Sequence, residues 1–361
     1  MGVQALLPSA EPVRFVAEDG TAVEPQGGYA EPTAVRLLRA YRRMVLGRRF
    51  DQQATALVRQ GRLAVYPSAL GQEACQIGGG LALADGDWLF PTYRDSMALV
   101  AHGLDPAEVL ELLRGSWHCG YDPHRVRVAP QCTPLATQLP HATGLADALR
   151  RKGGNEVVLA FTGDGGTSEG DFHEALNFAA VTRAPVVFLV QNNRYAISVP
   201  LAKQTAAPAL AYKGIGYGIR SEQVDGNDLV AVLSVVDEAV ATVRRGEGPF
   251  LVEAHTYRID AHTNADDATR YRSDDEVASW RAADPLSRLE TYLRGRGELF
   301  DADVEAATAE AEEFATEVRT QMNAEPEVDP LELFEHVYAE PSRPLVAQRD
   351  GLADEIAVRE A

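Results

Sequence analysis

The sequence predicts an α/β protein: a mostly parallel sheet flanked by helices on both faces, with helical N- and C-terminal extensions. Three observations carry this reading. Residues 156–161, 185–190 and 250–254 are short, continuous apolar runs, the pattern of strands buried on both faces. Helical patterns over about 169–182 and 228–245 lie between them, which is the alternation of a parallel sheet with its crossover helices. The first run ends in a glycine-rich turn, Gly163-Asp164-Gly165-Gly166, at the point where a strand hands over to a helix.

Taken in order, residues 1–30 are rich in Gly, Pro and Ala, carry no helical period and read as a flexible N-terminal arm. Within it, Val13-Arg14-Phe15-Val16 followed by Glu18-Asp19-Gly20 has the form of a short extended piece and a turn. A helix is expected over about 32–59, with Leu38, Tyr41, Val45, Leu57 and Val58 on its buried stripe. A second follows over 72–83. Its Gly78-Gly79-Gly80 run reads as close helix packing rather than a ligand loop. Gly246 after Arg244-Arg245 is a helix stop, with basic residues at the negative end of the dipole. The α/β domain is assigned to 31–290 and an acidic helical segment with its tail to 291–361. Between Asp301 and Asp329 there are ten acidic residues and one basic one, Arg319, which reads as a solvated helix face. The more apolar stretch from Leu331 to Tyr338 is expected to pack on the body or on a partner.

The balance of charge excludes several functions. Across 361 residues, 34 Lys+Arg stand against 53 Asp+Glu, a net charge of −19. Binding to nucleic acid or to an anionic membrane is therefore not expected, since both need a positive footprint. The three lysines, Lys152, Lys203 and Lys213, do not follow glycines, so no G-K-[ST] phosphate loop exists. Cys75, Cys119 and Cys132 are too few and scattered for a disulfide framework. His118, Cys119, His124 and Cys132 cluster loosely, but without C-x-x-C spacing. No basic patch followed by an apolar run opens the chain, and no stretch reaches the roughly 18 apolar residues of a membrane span. The expectation is a cytoplasmic protein.

The chemistry centres on Gly163-Asp164-Gly165-Gly166. Glycines let the backbone approach a phosphate, and the following helix offers free N–H groups. The spacing is not the G-x-G-x-x-G of a dinucleotide site. Asp164 would repel a phosphate unless a divalent cation lay between them. The second half of such a site is Gln191-Asn192-Asn193-Arg194-Tyr195, at the end of the next strand. Twenty-six residues separate Gly165 from Asn192, room for one helix and one strand. A carboxylate, an amide oxygen and a backbone carbonyl are hard ligands suited to Mg²⁺.

G-D-G followed at this distance by N-N resembles the thiamine diphosphate signature. The match from Gly163 to Pro200 is wider and is similar to the alpha subunit of the decarboxylating component of 2-oxo acid dehydrogenase complexes. Phe90-Pro91-Thr92-Tyr93-Arg94-Asp95, Thr133-Pro134-Leu135-Ala136-Thr137-Gln138 and the block from Tyr257 to Tyr271 also match. The resemblance covers about 31–340. It implies a thiamine diphosphate-binding fold, with Mg²⁺ held by Asp164, Asn193 and the Tyr195 carbonyl. It also implies that Tyr93 and Arg94 lie near the diphosphate, that Gly163, Gly165 and Gly166 form the cradle, and that Thr133 and Leu135 lie toward the ring end. His262 is the implied catalytic residue. It would face both the cofactor and an incoming lipoyl group, and a histidine near neutral pKa can donate and relay a proton. Asp260 departs from the small or polar residue usual there. His141 is expected to position backbone or substrate, and Tyr271 and Arg272 to order the loop.

One α/β pattern accounts for the diphosphate end of the cofactor only. The resemblance therefore implies a beta subunit supplying the pyrimidine end, in a two-alpha, two-beta heterotetramer, and a lipoyl-bearing acyltransferase as the next component. The block from Pro134 to His141 looks more like branched-chain enzymes. Gly163–Gly166 with 191–198 looks equally like pyruvate enzymes of some bacteria. Branched-chain 2-oxo acids are the preferred substrate, with pyruvate as the alternative and acetoin cleavage behind it. A dinucleotide-binding dehydrogenase domain and a non-catalytic interaction subunit using the acidic helix are the readings from other classes.

Overall fold

The computed structural model describes every residue except 1, 25–26, 117–118, 325–328 and 361. His118 of the loose Cys/His cluster therefore lies outside the described residues. By contact the chain divides into Met1–Met322 and Asn323–Ala361.

The first unit runs through α1 (Ala34–Arg59), α2 (Glu73–Ala82), β1 (Trp88–Phe90), α3 (Ser96–His102), α4 (Pro106–Arg114), α5 (Pro123–Val126) and α6 (Gln138–Arg151). It continues with β2 (Val158–Gly163), α7 (Gly170–Thr182), β3 (Val186–Asn192) and a two-strand ribbon, β4 (Tyr195–Ala196) with β5 (Val199–Pro200). Then come β6 (Arg220–Asp225), α8 (Leu229–Arg244), β7 (Phe250–His255), α9 (Asp274–Ala282), α10 (Pro285–Gly295) and α11 (Asp301–Asn323). The second unit holds α12 (Arg343–Glu360) after a short turn at Pro330–Phe334.

Five strands form one wholly parallel sheet in the order β1-β2-β3-β7-β6. Side chains alternate across it, as the two-residue period of a strand requires. Leu159, Phe161, Val187, Leu189 and Val252 face one core with α1, α2 and α8. Val158, Ala160, Val186, Phe188 and Leu251 face the other with α6 and α7. The apolar runs are continuous because both faces are buried. The register pairs Gly163 with Gln191 and Asn192 with His255, so the loops leaving β2, β3 and β7 emerge side by side.

The glycine run in α2 is a packing device. A Cβ on Gly78 would lie 2.5 Å from Val232 of α8, and one on Gly79 2.5 Å from Phe161 of β2. On Gly80 it would lie 2.6 Å from the Ala98 carbonyl of α3. Helix α2 is thus wedged between two helices and the sheet. In α1, Leu37, Tyr41, Met44, Phe50 and Leu57 are fully buried, while Leu38, Val45 and Val58 pack half-buried at the edge of this stripe. The expected stripe is therefore displaced by about one position.

Two strands of the sheet lie outside the expected apolar runs. β1 has three residues, and β6 reads Arg-Ser-Glu-Gln-Val-Asp. β6 is buried because part of the N-terminal arm covers it. Val13 bridges to Val224, and Glu222 accepts from the Ser9 N–H at 2.7 Å and from the Tyr29 hydroxyl at 2.8 Å. The arm is also tied to α8. Asp228 caps that helix through Ala231 N–H, and its other oxygen accepts the Phe15 and Val16 N–H groups at 2.7 Å each. In α11, Ala307, Ala311, Ala315, Val318 and Met322 are buried while the acidic residues line the outside. Leu333, Val337 and Tyr338 are exposed.

Replacing Asp228 with Ala should strand two buried N–H groups and uncap α8. We expect a loss of about 3 kcal/mol, read from urea unfolding, with faster proteolytic clipping of the arm near residues 10–20.

Candidate functional site

At the carboxyl edge of the sheet, β2 ends at Gly163 and the chain tightens into a 3₁₀ turn, Gly165–Ser168, before α7. Asp164 begins this turn and is 1 % exposed. The Thr167 hydroxyl donates to the Asp164 carbonyl at 2.8 Å, and Lys213 Nζ donates to the Thr167 carbonyl at 2.7 Å. Asp164 Oδ2 accepts from Gln204 Nε2 at 2.7 Å. Burial raises the Asp164 pKa, and the Gln204 donor opposes that shift. A side chain on Gly165 would strike Ala196, whereas one on Gly163 would meet nothing within 4 Å.

Just past β3, Asn193 Oδ1 accepts the Tyr195 N–H at 3.3 Å, and its Nδ2 donates to Gln72 Oε1 at 3.1 Å. Arg194 at φ +75° and Ile197 at φ +55° turn the chain so that Asn193 and Tyr195 both border one cleft. After β1, Asp95 clamps its own loop by accepting from Thr92 N–H and hydroxyl. It ties that loop to β3 by accepting Gln191 Nε2 at 2.6 Å.

Arg94, also buried, holds its guanidinium between Ser68 and the loop after β7. Nη1 donates to the Ser68 carbonyl at 2.9 Å, and Nη2 donates to the His262 carbonyl at 2.9 Å and its Nδ1 at 3.1 Å. Each terminal nitrogen carries two hydrogens, so the fork keeps donors for a ligand. His262 Nδ1 faces a second guanidinium, Arg258 Nη1, at 3.4 Å. Two obligate donors make Nδ1 the acceptor and assign the proton to Nε2. Burial, then the charges of Arg94 and Arg258, pull the His262 pKa down to about 4. The expected near-neutral histidine is thus corrected: the ring is neutral at pH 7 and holds one N–H. Asp266 steadies it by accepting the His262 N–H at 2.8 Å and the Tyr271 hydroxyl. Arg272 bonds the Arg258 and Ile259 carbonyls, so Tyr271 and Arg272 do order this loop.

These elements border a cleft of about 130 Å³. Tyr93, Arg94, Leu135 and His262 border it, as do Gly163, Asp164, Gly165 and Gly166 of the turn and Asn193 and Tyr195 of the next strand. Thr133 does not border the cleft; it is exposed, and the chain reaches the cleft only two residues later at Leu135. His141 is exposed on α6 and also stands outside. Sequence reasoning gave no role to Gln72 or Arg258, and it named Gln191 only as the start of the block at the end of the second expected strand. Each sits at or beside the end of an element that the pattern had located, which was the available signal.

Three buried polar atoms of cleft residues have no partner among the described residues: Gln72 Nε2, Gln191 Oε1 and Arg258 Nε. Two are donors, beside two guanidinium groups, and Asp164 is the cleft's single carboxylate. Such a site suits an anion bridged to Asp164 by a cation. Asp164, Asn193 and Tyr195 all border this cleft, and the Tyr195 carbonyl accepts Arg258 Nη1 at 3.4 Å. Among the described residues there is no cluster of three His, Cys, Asp or Glu able to hold a metal. No helix among them is long and apolar enough to cross a membrane.

Residues 41–331 match the family model described as dehydrogenase E1 component. The chain is 45 % identical over 347 residues to the 3-methyl-2-oxobutanoate dehydrogenase subunit alpha of Mycobacterium tuberculosis, covering 96 % of this chain and 95 % of that protein. It is 40 % identical over 324 residues to the pyruvate dehydrogenase E1 component subunit alpha of Staphylococcus aureus, covering 86 % and 87 %.

The depressed His262 pKa has a consequence for stability. An unfolded histidine binds its proton near pH 6.5, the folded one near 4. Between these values the unfolded state holds more protons, so stability falls as pH drops from 6.5 to 4. In the ligand-free protein, His262→Asn should remove on the order of 1 kcal/mol of that acid loss, the half-exposed ring being screened by solvent. Urea unfolding at pH 7 and pH 4.5 measures it.

Proposed function

The chain belongs to the dehydrogenase E1 component family of thiamine diphosphate-dependent oxidoreductases, and from that membership we propose that it is the alpha subunit acting on branched-chain 2-oxo acids. The observation that supports this most is the convergence of four strand-end loops on one cleft with an oxygen donor set, two arginines and unpaired buried donors. The cleft fits a diphosphate carried by a divalent cation. Asp164, Asn193 and the Tyr195 carbonyl would hold Mg²⁺. Arg94 and Arg258 would balance the diphosphate charge, Arg94 through its fork. Gly163 leaves the backbone open to the ligand, while Ala196 and Thr162 pack where a side chain on Gly165 or Gly166 would stand.

When bound, the cofactor supplies the electron sink that lets a 2-oxo acid lose carbon dioxide. The chain's own residues bind and orient. His262 would present Nε2–H to an oxygen of cofactor or substrate, with its ring held by Arg94 and Arg258 and its backbone N–H by Asp266. An anion between the arginines would raise its pKa toward the range where it exchanges a proton at that nitrogen.

Alpha chains of this family work with a beta subunit, and the cleft accords with that. Among the described residues Asp164 is the only carboxylate bordering it and would be committed to the cation, so we infer that the carboxylate that activates the aminopyrimidine comes from another chain. We assign the partner as a beta subunit in a two-alpha, two-beta heterotetramer and the acceptor as a lipoyl-bearing acyltransferase. The M. tuberculosis relative favours a branched-chain substrate. The S. aureus relative, at 40 % identity, keeps pyruvate as the second reading.

Coexpression with a beta chain, then assay with 3-methyl-2-oxobutanoate and pyruvate and an artificial electron acceptor, tests the proposal. We expect kcat/KM at least tenfold higher for the branched substrate; the reverse order would make pyruvate the substrate. The alpha chain alone should be inactive, and turnover matching the pair would overturn the two-chain assignment.

In the assembled enzyme, Asp164→Ala and Asn193→Ala should each lower thiamine diphosphate affinity at least a hundredfold by calorimetry. Near-normal affinity in either variant would remove that residue from the metal site.

A further inference from the structure

Gln72 is 1 % exposed and lies at the start of α2, at the back of the cleft. Its orientation follows from a chain of forced choices. The Tyr195 N–H can only donate, so the Asn193 amide turns its oxygen toward it. Asn193 Nδ2 then points at Gln72 and requires an acceptor there, which is Gln72 Oε1 at 3.1 Å. The other end of the Gln72 amide, Nε2, is left in the cleft wall with no partner among the described residues. A buried donor without an acceptor costs about as much as a lost hydrogen bond, and no rotation of the amide relieves it without breaking the contact to Asn193.

We propose that Gln72 is a cofactor-binding residue whose Nε2 donates a hydrogen bond to an oxygen of the diphosphate. The proposal rests on the thiamine diphosphate reading above and adds a ligand contact to it. Its chemistry is a neutral donor held rigid by a metal-site residue. The Tyr195 N–H fixes Asn193, Asn193 fixes Gln72, and Gln72 presents one N–H to the anion that the metal bridges. Arg94 and Arg258 supply charge to that anion, and Gln72 adds direction. Metal end and diphosphate end are joined through a single amide-to-amide contact.

Two variants separate this role from a merely structural one. Gln72→Met keeps the volume and removes the donor. Gln72→Glu keeps an oxygen for Asn193 Nδ2 and turns a carboxylate toward the anion in place of the donor. The assembled alpha–beta enzyme is titrated by calorimetry with thiamine diphosphate and, separately, with inorganic diphosphate, each with Mg²⁺. We expect Gln72→Met to weaken both probes by the same factor, roughly ten- to a hundredfold, and Gln72→Glu to weaken both at least as much. If Gln72 served only to orient Asn193, Gln72→Glu would bind at wild-type strength, and that result overturns the proposal. So does a Gln72→Met variant that binds both probes within twofold of wild type, or one that loses thiamine diphosphate while keeping inorganic diphosphate. Wild-type enzyme that binds neither probe would instead refute the cofactor reading itself, and this inference with it.

Discussion

The cleft depends on one close backbone approach, that of Gly71 to the loop after β7. Gly71 sits at φ +94°, and a Cβ there would lie 2.2 Å from the Tyr257 carbonyl oxygen. Only glycine fits. The contact lets residues 66–73 lie flat against the carboxyl edge of the sheet. The Gly71 carbonyl accepts the Thr256 hydroxyl at 2.6 Å, and the Leu70 carbonyl accepts Ile259 N–H at 3.0 Å. From the same strap, the Ser68 carbonyl holds Arg94 and the Gln72 side chain holds Asn193. Loops from β1, β3 and β7 are therefore aligned by one piece of chain.

Buried charge fastens that strap from behind. Asp51 of α1 accepts from the Tyr66 hydroxyl, the Ser68 hydroxyl and the Ala69 N–H, at 2.8–2.9 Å. Burial pushes its pKa up to about 6 while these donors hold it down. Glu73 accepts Gly71 N–H and pairs with Arg48, which also reaches Asp284 at the start of α10. Removing one partner from such a network leaves a charge stranded in a low-dielectric interior, so each is costly to lose. These groups lie outside the cleft, and their service is to keep the strap where Arg94 and Asn193 need it.

The cleft itself is built to be incomplete. Two guanidinium groups face it with little counter-charge, and together with burial they keep His262 neutral. Among the described residues, two donors of its buried wall, Gln72 Nε2 and Arg258 Nε, lack acceptors. A ligand that is anionic at one end would relieve these donors and the arginines, and a cation would satisfy Asp164. The protein thus stores unfavourable interactions in the empty site that binding removes.

The sequence by itself determined the sheet-and-helix class, the three central strands, the glycine wedge in α2 and the pairing of Asp164 with Asn193. These are local signals: apolar runs for doubly buried strands, and oxygen-bearing side chains just past two successive strand ends. Ten of the eleven expected cofactor contacts border the cleft for the same reason, and Thr133 fails because a matching block says nothing of where one side chain stands within its turn. The tertiary structure decided the rest. β6 is polar and became a strand because the arm's Val13, Ser9 and Tyr29 cover it, contacts some 200 residues away in the chain. The His262 pKa was set first by burial and then by Arg94 and Arg258, of which only the second is near it in sequence. Gln72 became part of the site because the strap brought it to Asn193. Periodicity and spacing report what a segment does with its neighbours along the chain; charge, orientation and pairing in the cleft are set by neighbours in space.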